Sequence, residues 1–259
     1  TGLSLALLGL LGVGMGASFI RYWPYDLTLT LDHYDFDSVG GEGWQAWFNS
    51  LWLAGGTAVV GSVLVFPGAV WAERLNLAGS GRRVLRLLAM LPMAVPGLVL
   101  GLGYVFVFNQ PGNPLAWLYG SLLLMTVCTV AHFFSVAHIT QLTALQQLDA
   151  EYERVADSMG VPFWTLLWRV HLPVCLPAVM QVAGYFFVNA MTTVSAVVFL
   201  YSPETTLASV AVLAMDDAGD TAPAAAMATL IFATAAAGRL LIALLDAWLQ
   251  RRTQHWRQR

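Results

Sequence analysis

Chemistry in this chain would have to come from few side chains. The sequence holds five histidines, two cysteines and no lysine. A phosphate-cradling nucleotide loop ends on a lysine that reaches the phosphates, so no such loop is present. There is no HExxH helix and no CxxC pair to hold a metal. Cys128 and Cys175 have no mate in an oxidising compartment and read as small buried hydrophobes, while His132 and His138 read as polar lining or interfacial anchors. No cofactor, metal or catalytic group is expected. What remains are groups that bind rather than react: the amide of Asn189 and the hydroxyls of Thr192 and Thr193, which share a helix face inside the apolar run Phe186–Ser195. An amide there needs partners for its four hydrogen-bonding positions, so Asn189 faces either another helix or a wet pathway. The threonine hydroxyls can instead bond back to their own backbone.

The elements that must position these groups follow from composition. Of 259 residues, 58% are hydrophobic and 10% charged, against about a quarter charged in an ordinary soluble domain. A helix crossing a hydrocarbon layer needs about 20 mainly apolar residues, because lipid offers its backbone no partners. Stretches at 3–20, 47–71, 87–108, 115–136, 174–201 and 223–245 qualify, which predicts an all-α membrane protein of six transmembrane helices. The chain reads as one transmembrane domain over 1–259, with a first span at 3–20, a core over 47–245 and a long loop at 138–172. The first stretch has no basic start or cleavage site and reads as a retained span. Thr1, with no basic residue before that span, suggests one half of a longer chain.

All twelve basic residues are arginines. Arg74, Arg82, Arg83, Arg86, Arg154, Arg169, Arg251, Arg252, Arg257 and Arg259 fall on one side of the six-span scheme, and Arg21 alone on the other. Basic residues stay on the cytoplasmic side of short loops, so both termini are expected there. Arg239 is the one full-time charge within a span, close enough to an end to snorkel, with Asp246 seven residues on as its expected partner.

The 138–172 loop is longer than a connection needs to be. Asp149 is a plausible N-cap, and Tyr152, Val155, Ala156 and Met159 then make an apolar stripe at helical spacing. Gly160 stands where a left-handed residue ends a helix, and Pro162 where a second helix begins. That second helix is expected to end before Leu172 and Pro173. Glu151, Glu153 and Asp157 make the first helix acidic, which disfavours an anionic membrane surface and favours a protein groove.

These residues resemble the permeases of binding-protein-dependent ABC importers, whose loop reads EAA, three residues, Gly, nine residues, Ile, any residue, Leu-Pro. Here Gly160 is followed by nine residues and then by Val170, His171, Leu172 and Pro173. The leading triplet holds Arg154, Val155 and Ala156, with Glu153 one residue early as the residue placed to take over the glutamate's role. The resemblance implies a type I importer fold in the bacterial inner membrane. It also implies an ATP-binding ABC subunit docked on Glu153, Arg154, Ala156, Met159, Gly160, Val170, Leu172 and Pro173. A periplasmic substrate-binding protein and a second permease unit are the other implied partners, besides membrane lipid. No nucleic-acid partner is expected.

The run Phe186–Ser195, the acidic stretch Met215–Asp220 and the segment Asn109–Pro114 are similar to permeases for 2-aminoethylphosphonate, some of them fused pairs whose second half this chain resembles. Related permeases carry ferric ion or polyamine. An ion-coupled carrier and a structural scaffold are the readings from other classes. Gly97 and Gly101 form a small-residue pair that permits close packing, and Pro96 before a glycine allows a kink.

Overall fold

The computed structural model describes residues 2–22, 24–38, 43–74, 79–148 and 151–253. Helix dominates, as it must where apolar runs leave a backbone no solvent to bond. The order is α1 (Gly2–Ala17), a hairpin of β1 (Ile20–Tyr22) and β2 (Asp26–Leu29), α2 (Gly43–Arg74), α3 (Gly79–Ala94), α4 (Gly97–Phe108) and α5 (Leu122–Leu145). Then come α6 (Glu151–Ser158), α7 (Phe163–Leu166), a π turn at Leu167–His171, α8 (Leu172–Thr192), α9 (Ala208–Asp217) and α10 (Thr221–Thr253).

Among the described residues, four helical stretches are long and apolar enough to cross a membrane: Gly43–Ala72, Leu122–Leu145, Phe163–Thr192 and Thr221–Gln250. A fifth span is reached if α3 and α4 count as one, bent by 98°. The remaining expected span is α1, apolar but shorter, which lies along α10 with no buried side chain. The fold therefore keeps the all-α, six-stretch plan while altering its third and fifth spans. Its fourth moves from the expected 115–136 to Leu122–Leu145, so the long loop begins after Leu145 rather than at 138.

The third span is bent for two reasons. Val95 precedes Pro96, whose ring disfavours a helical conformation in its neighbour, and Pro96 itself is extended at φ −57°, ψ 139°. Just before the bend, Met93 N–H and Ala89 C=O would bond each other in a regular helix. Instead the Ser135 hydroxyl of α5 donates to Ala89 O at 2.8 Å and accepts from Met93 N at 3.2 Å. A side chain inserted into the ladder is an established cause of a sharp kink.

The fifth span departs from the expected 174–201 at both ends. At its start, the second loop helix was expected to end before Leu172, yet it runs into α8 without a break through the π turn. Pro173 lacks an N–H and would crowd the Arg169 carbonyl in a regular helix, and π widening relieves that conflict. At its far end the helix stops at Thr192, and Thr193 is extended at ψ 136°. The following Thr193, Val194, Val197 and Val198 are β-branched and poor helix formers.

The core is centred on α2, which packs on α5 and α8, while α10 closes over α8 and α9. Phe186 is fully buried between Ala58, Val65, Val130 and Val182. Leu53, Met125, Ala196 and Leu200 fill a second cluster, and Phe66, Leu145, Leu167 and Cys175 a third at the opposite end. Both cysteines are free and buried.

Candidate functional site

Backbone that leaves a helix among buried side chains must find partners within the protein. Residues 193–207 do so with help from far along the chain. Asn49 of α2 donates to Glu204 O at 3.0 Å and Thr206 O at 2.9 Å. Ser50 Oγ accepts from Ala208 N at 2.8 Å, and Ser209 Oγ donates to Thr193 O at 2.6 Å. The Cys128 thiol reaches Ala196 O at 3.4 Å, and Tyr119 OH reaches Phe199 O at 3.0 Å. In return, Thr205 Oγ1 donates to Gly120 O at 2.8 Å. Ala196, Val197, Leu200 and Leu207 are fully buried.

The glycine pair of α4 packs on this segment. A Cβ added at Gly101 would sit 2.8 Å from the Ala196 carbonyl oxygen, and one at Gly97 would collide with Ser195 Oγ. The expected close approach is therefore present, with an irregular segment rather than a helix as its partner.

Asn189, Thr192 and Thr193 do not form one surface. Asn189 is half-buried on α8 and donates to Tyr185 O at 2.8 Å. Thr192 is exposed, its hydroxyl 3.2 Å from Val188 O, the local back-bonding open to a helical threonine. Thr193 is buried and lies past the helix end, so the shared face is lost there. Thr192 does line a groove of about 610 Å³ between α8, α9 and α10, walled by Val212, Ile231 and Phe232 with Ser209 and Arg239 as further polar members. Arg239 lies across Gly184, where a Cβ would meet its guanidinium. Its expected partner Asp246 instead accepts from Gln250 Nε2 at 3.0 Å. Among the described residues no group of three or more His, Cys, Asp or Glu side chains could hold a metal. The groove thus sets two hydroxyls and one cation in an apolar wall.

At the other end of α8 lies the loop. Gly160 has φ +65°, the left-handed conformation expected between the two helices, and Val161 N closes back onto Ala156 O at 2.9 Å. Pro162 opens α7, its carbonyl accepting from Thr165 N and Leu166 N. The predicted stripe divides: Ala156 is 6% exposed, whereas Val155 and Met159 are 55% and 73% exposed. Together with Glu151, Val161, Thr165 and Val170 they line an outward groove of about 600 Å³. Leu167 anchors the base of the loop, fully buried with Phe66, Ala69 and Val70 of α2. Arg154 is exposed, and Val170, Leu172 and Pro173 are half-buried along the π turn and α8. Asp149 and the side chains of Tyr152, Glu153 and Asp157 lie outside what is described.

Sequence reading passed over Asn49, Ser50, Ser135 and Ser209. Each is a polar residue in an apolar helix, which is the available signal, but its partner lies 42 to 158 residues away or past an unforeseen break.

Residues 65–254 match the family described as binding-protein-dependent transport system inner membrane component. A putative 2-aminoethylphosphonate transport system permease protein, PhnV, from Salmonella typhimurium is 30% identical over 210 residues, 79% of this chain and 75% of that protein. A ferric transport system permease protein, FbpB, from Actinobacillus pleuropneumoniae is 29% identical over 199 residues, 76% of this chain. The match spans only 28% of that ferric permease's length. Among solved structures, a bacterial ABC transporter that imports the acidic polysaccharide alginate superposes with a TM-score of 0.68 at 19% identity, covering 93% of this chain and 88% of that one. The same kind of transporter in complex with an alginate pentasaccharide-bound periplasmic protein gives 0.70 at 18% identity, over 96% and 90%. The broken third span and the irregular stretch after α8 thus sit within an ABC-importer permease fold, and the chain belongs to the binding-protein-dependent transport system inner membrane component family.

Proposed function

We propose that this chain is a permease unit of an ATP-driven importer that moves a small phosphonate such as 2-aminoethylphosphonate from periplasm to cytoplasm. A separate ATP-binding subunit seats on the α6–α7 loop through Glu153, Arg154, Ala156, Met159, Gly160, Val170, Leu172 and Pro173. The observation that carries this reading is the loop's outward groove, where Val155 and Met159 are left exposed on a helix pair held to the spans by buried Leu167. Exposed apolar side chains rimmed by charge mark a protein docking surface. Substrate arrives from a periplasmic binding protein, and a second permease unit completes a pathway to which Asn189, Thr192 and Thr193 contribute. Residues 1–259 act as one transmembrane domain with both termini in the cytoplasm.

Arg239 favours an anionic cargo. A guanidinium in an apolar groove attracts a phosphonate and repels a trivalent cation, and both effects grow where water is scarce. Ferric ion is the second reading, supported by the 29% identity to the FbpB permease.

Growth with 2-aminoethylphosphonate as sole phosphorus source, in cells lacking other phosphonate systems, tests the cargo. The transporter should restore growth, and an inactive ATPase subunit should abolish it. Restoration of ferric uptake without phosphonate growth would transfer the reading to iron. Thiols introduced at exposed Ser158 and Asp217 should be labelled from the cytoplasm and from outside respectively, and labelling of both from one face would end the topology.

A further inference from the structure

Between α2, α3 and α5, at the end of the spans where the arginines gather, lies a cavity of about 350 Å³. Its walls include Trp71, Leu85, Leu88 and Phe134, with Arg86 and His138 as polar members. His138 is 8% exposed, and its Nδ1 is buried with no hydrogen-bond partner. The ring is stacked on Phe134 with centroids 5.3 Å apart and planes 15° apart, which fixes its direction. His138 lines the cavity, and because buried ring nitrogens are ordinarily paired, its unpaired Nδ1 leaves the ring short of a partner.

Arg83 and Arg86 stand three residues apart on α3, hence on one face, and both are exposed. The α3 segment itself is held in place by Ser135, whose hydroxyl bonds Ala89 O and Met93 N. Leu87, Leu88 and Leu91, 65%, 54% and 54% exposed, continue along α3 and offer an apolar track. A phosphate acceptor beside two guanidiniums and a ring N–H, with hydrocarbon chains along a leucine surface, is the chemistry of a phospholipid with net negative charge.

We propose that this cavity binds the headgroup of an anionic phospholipid, with Arg86 and His138 as phosphate donors, Arg83 adding charge at the mouth and the acyl chains lying against α3. Basic pockets between membrane helices hold anionic headgroups by the same combination of charge and burial. A zwitterionic lipid supplies no net charge to pair with the arginines.

The test is native mass spectrometry of the intact transporter, permease with its ATPase subunit, exchanged into detergent with phosphatidylglycerol or phosphatidylcholine of matched chains. Wild type should retain phosphatidylglycerol about fivefold better than phosphatidylcholine. Arg86→Gln, a change at an exposed position, should bring the two lipids near parity. His138→Phe, which keeps the ring stack, should lower phosphatidylglycerol retention and leave phosphatidylcholine unchanged. Equal retention of both lipids by wild type overturns the proposal, and so does an unchanged preference in either variant. Displacement of the lipid by inorganic phosphate at matched concentration would make this a soluble-anion site and also overturn it. Loss of the ATPase subunit from Arg86→Gln, with lipid retention intact, would assign the face to that subunit instead.

Discussion

The α6–α7 loop and the segment 193–207 are both departures from regular helix, and they are built in opposite ways. In the loop, backbone bonds are local: Val161 returns to Ala156, and Thr165 and Leu166 to Pro162. Its apolar side chains, Val155 and Met159, are left outside. In the 193–207 segment the carbonyls depend on Asn49, Tyr119, Cys128 and Ser209, and Ala196, Val197, Leu200 and Leu207 are fully buried while Phe199 reaches the surface. Under the proposed function, the loop that satisfies itself and exposes Val155 and Met159 is the one a partner would cover. A segment satisfied by the rest of the fold holds its place inside, and changes in it should register as stability.

That contrast is most exposed to failure at Asn49. Asn49→Leu removes both donors to Glu204 O and Thr206 O, leaving one buried and one partly buried carbonyl unpaired at about 2 to 4 kcal/mol together. The melting midpoint of the purified complex should fall sharply, and an unchanged midpoint would mean the segment is held by packing alone. Gly101→Leu should come next, at about 1 to 3 kcal/mol, because its new Cβ meets a backbone oxygen that cannot swing aside. Chemical denaturation in mild detergent reads that loss. Gly160→Val strains a left-handed position by about 1 to 3 kcal/mol within the loop. Here the outcome should divide: spans melting as before, ATPase subunit no longer copurifying. A variant that keeps its ATPase and transports normally would remove the loop's half of the contrast. Ser135→Ala should have the smallest effect, about 1 kcal/mol, since Met93 N–H and Ala89 C=O can then bond each other. Faster hydrogen exchange confined to α3 would identify the hydroxyl as the clamp.

How far the sequence reveals these two regions follows from where their bonds go. The loop was legible because its determinants are adjacent: Gly160 needs a positive φ, Pro162 starts a helix, and nine residues separate the glycine from Val170. The tight glycine face of Gly97 and Gly101 was legible for the same reason. The end of α8 was not. Val194, Ala196, Val197, Val198, Phe199 and Leu200 continue an apolar run whose β-branched residues weaken a helix without forbidding one, and the residues that hold it otherwise lie up to 158 positions away. The π turn was hidden as well, since Pro173 signals only a helix boundary until Leu167 and Cys175 are seen packed in one cluster. Asn189 and Thr192 were correctly placed on one helix, but Thr193 belongs to the irregular segment that follows.

The unbroken course from Phe163 through the π turn to Thr192 also has a geometric consequence. It covers 30 residues, or about 45 Å at 1.5 Å per residue. One end carries the wall of the outward loop groove, and the other carries Thr192 and the first residue of the buried segment. Were it to tilt as a rigid rod by about 5° about its Phe163 end, Thr192 would move by about 4 Å, more than the width of a water molecule.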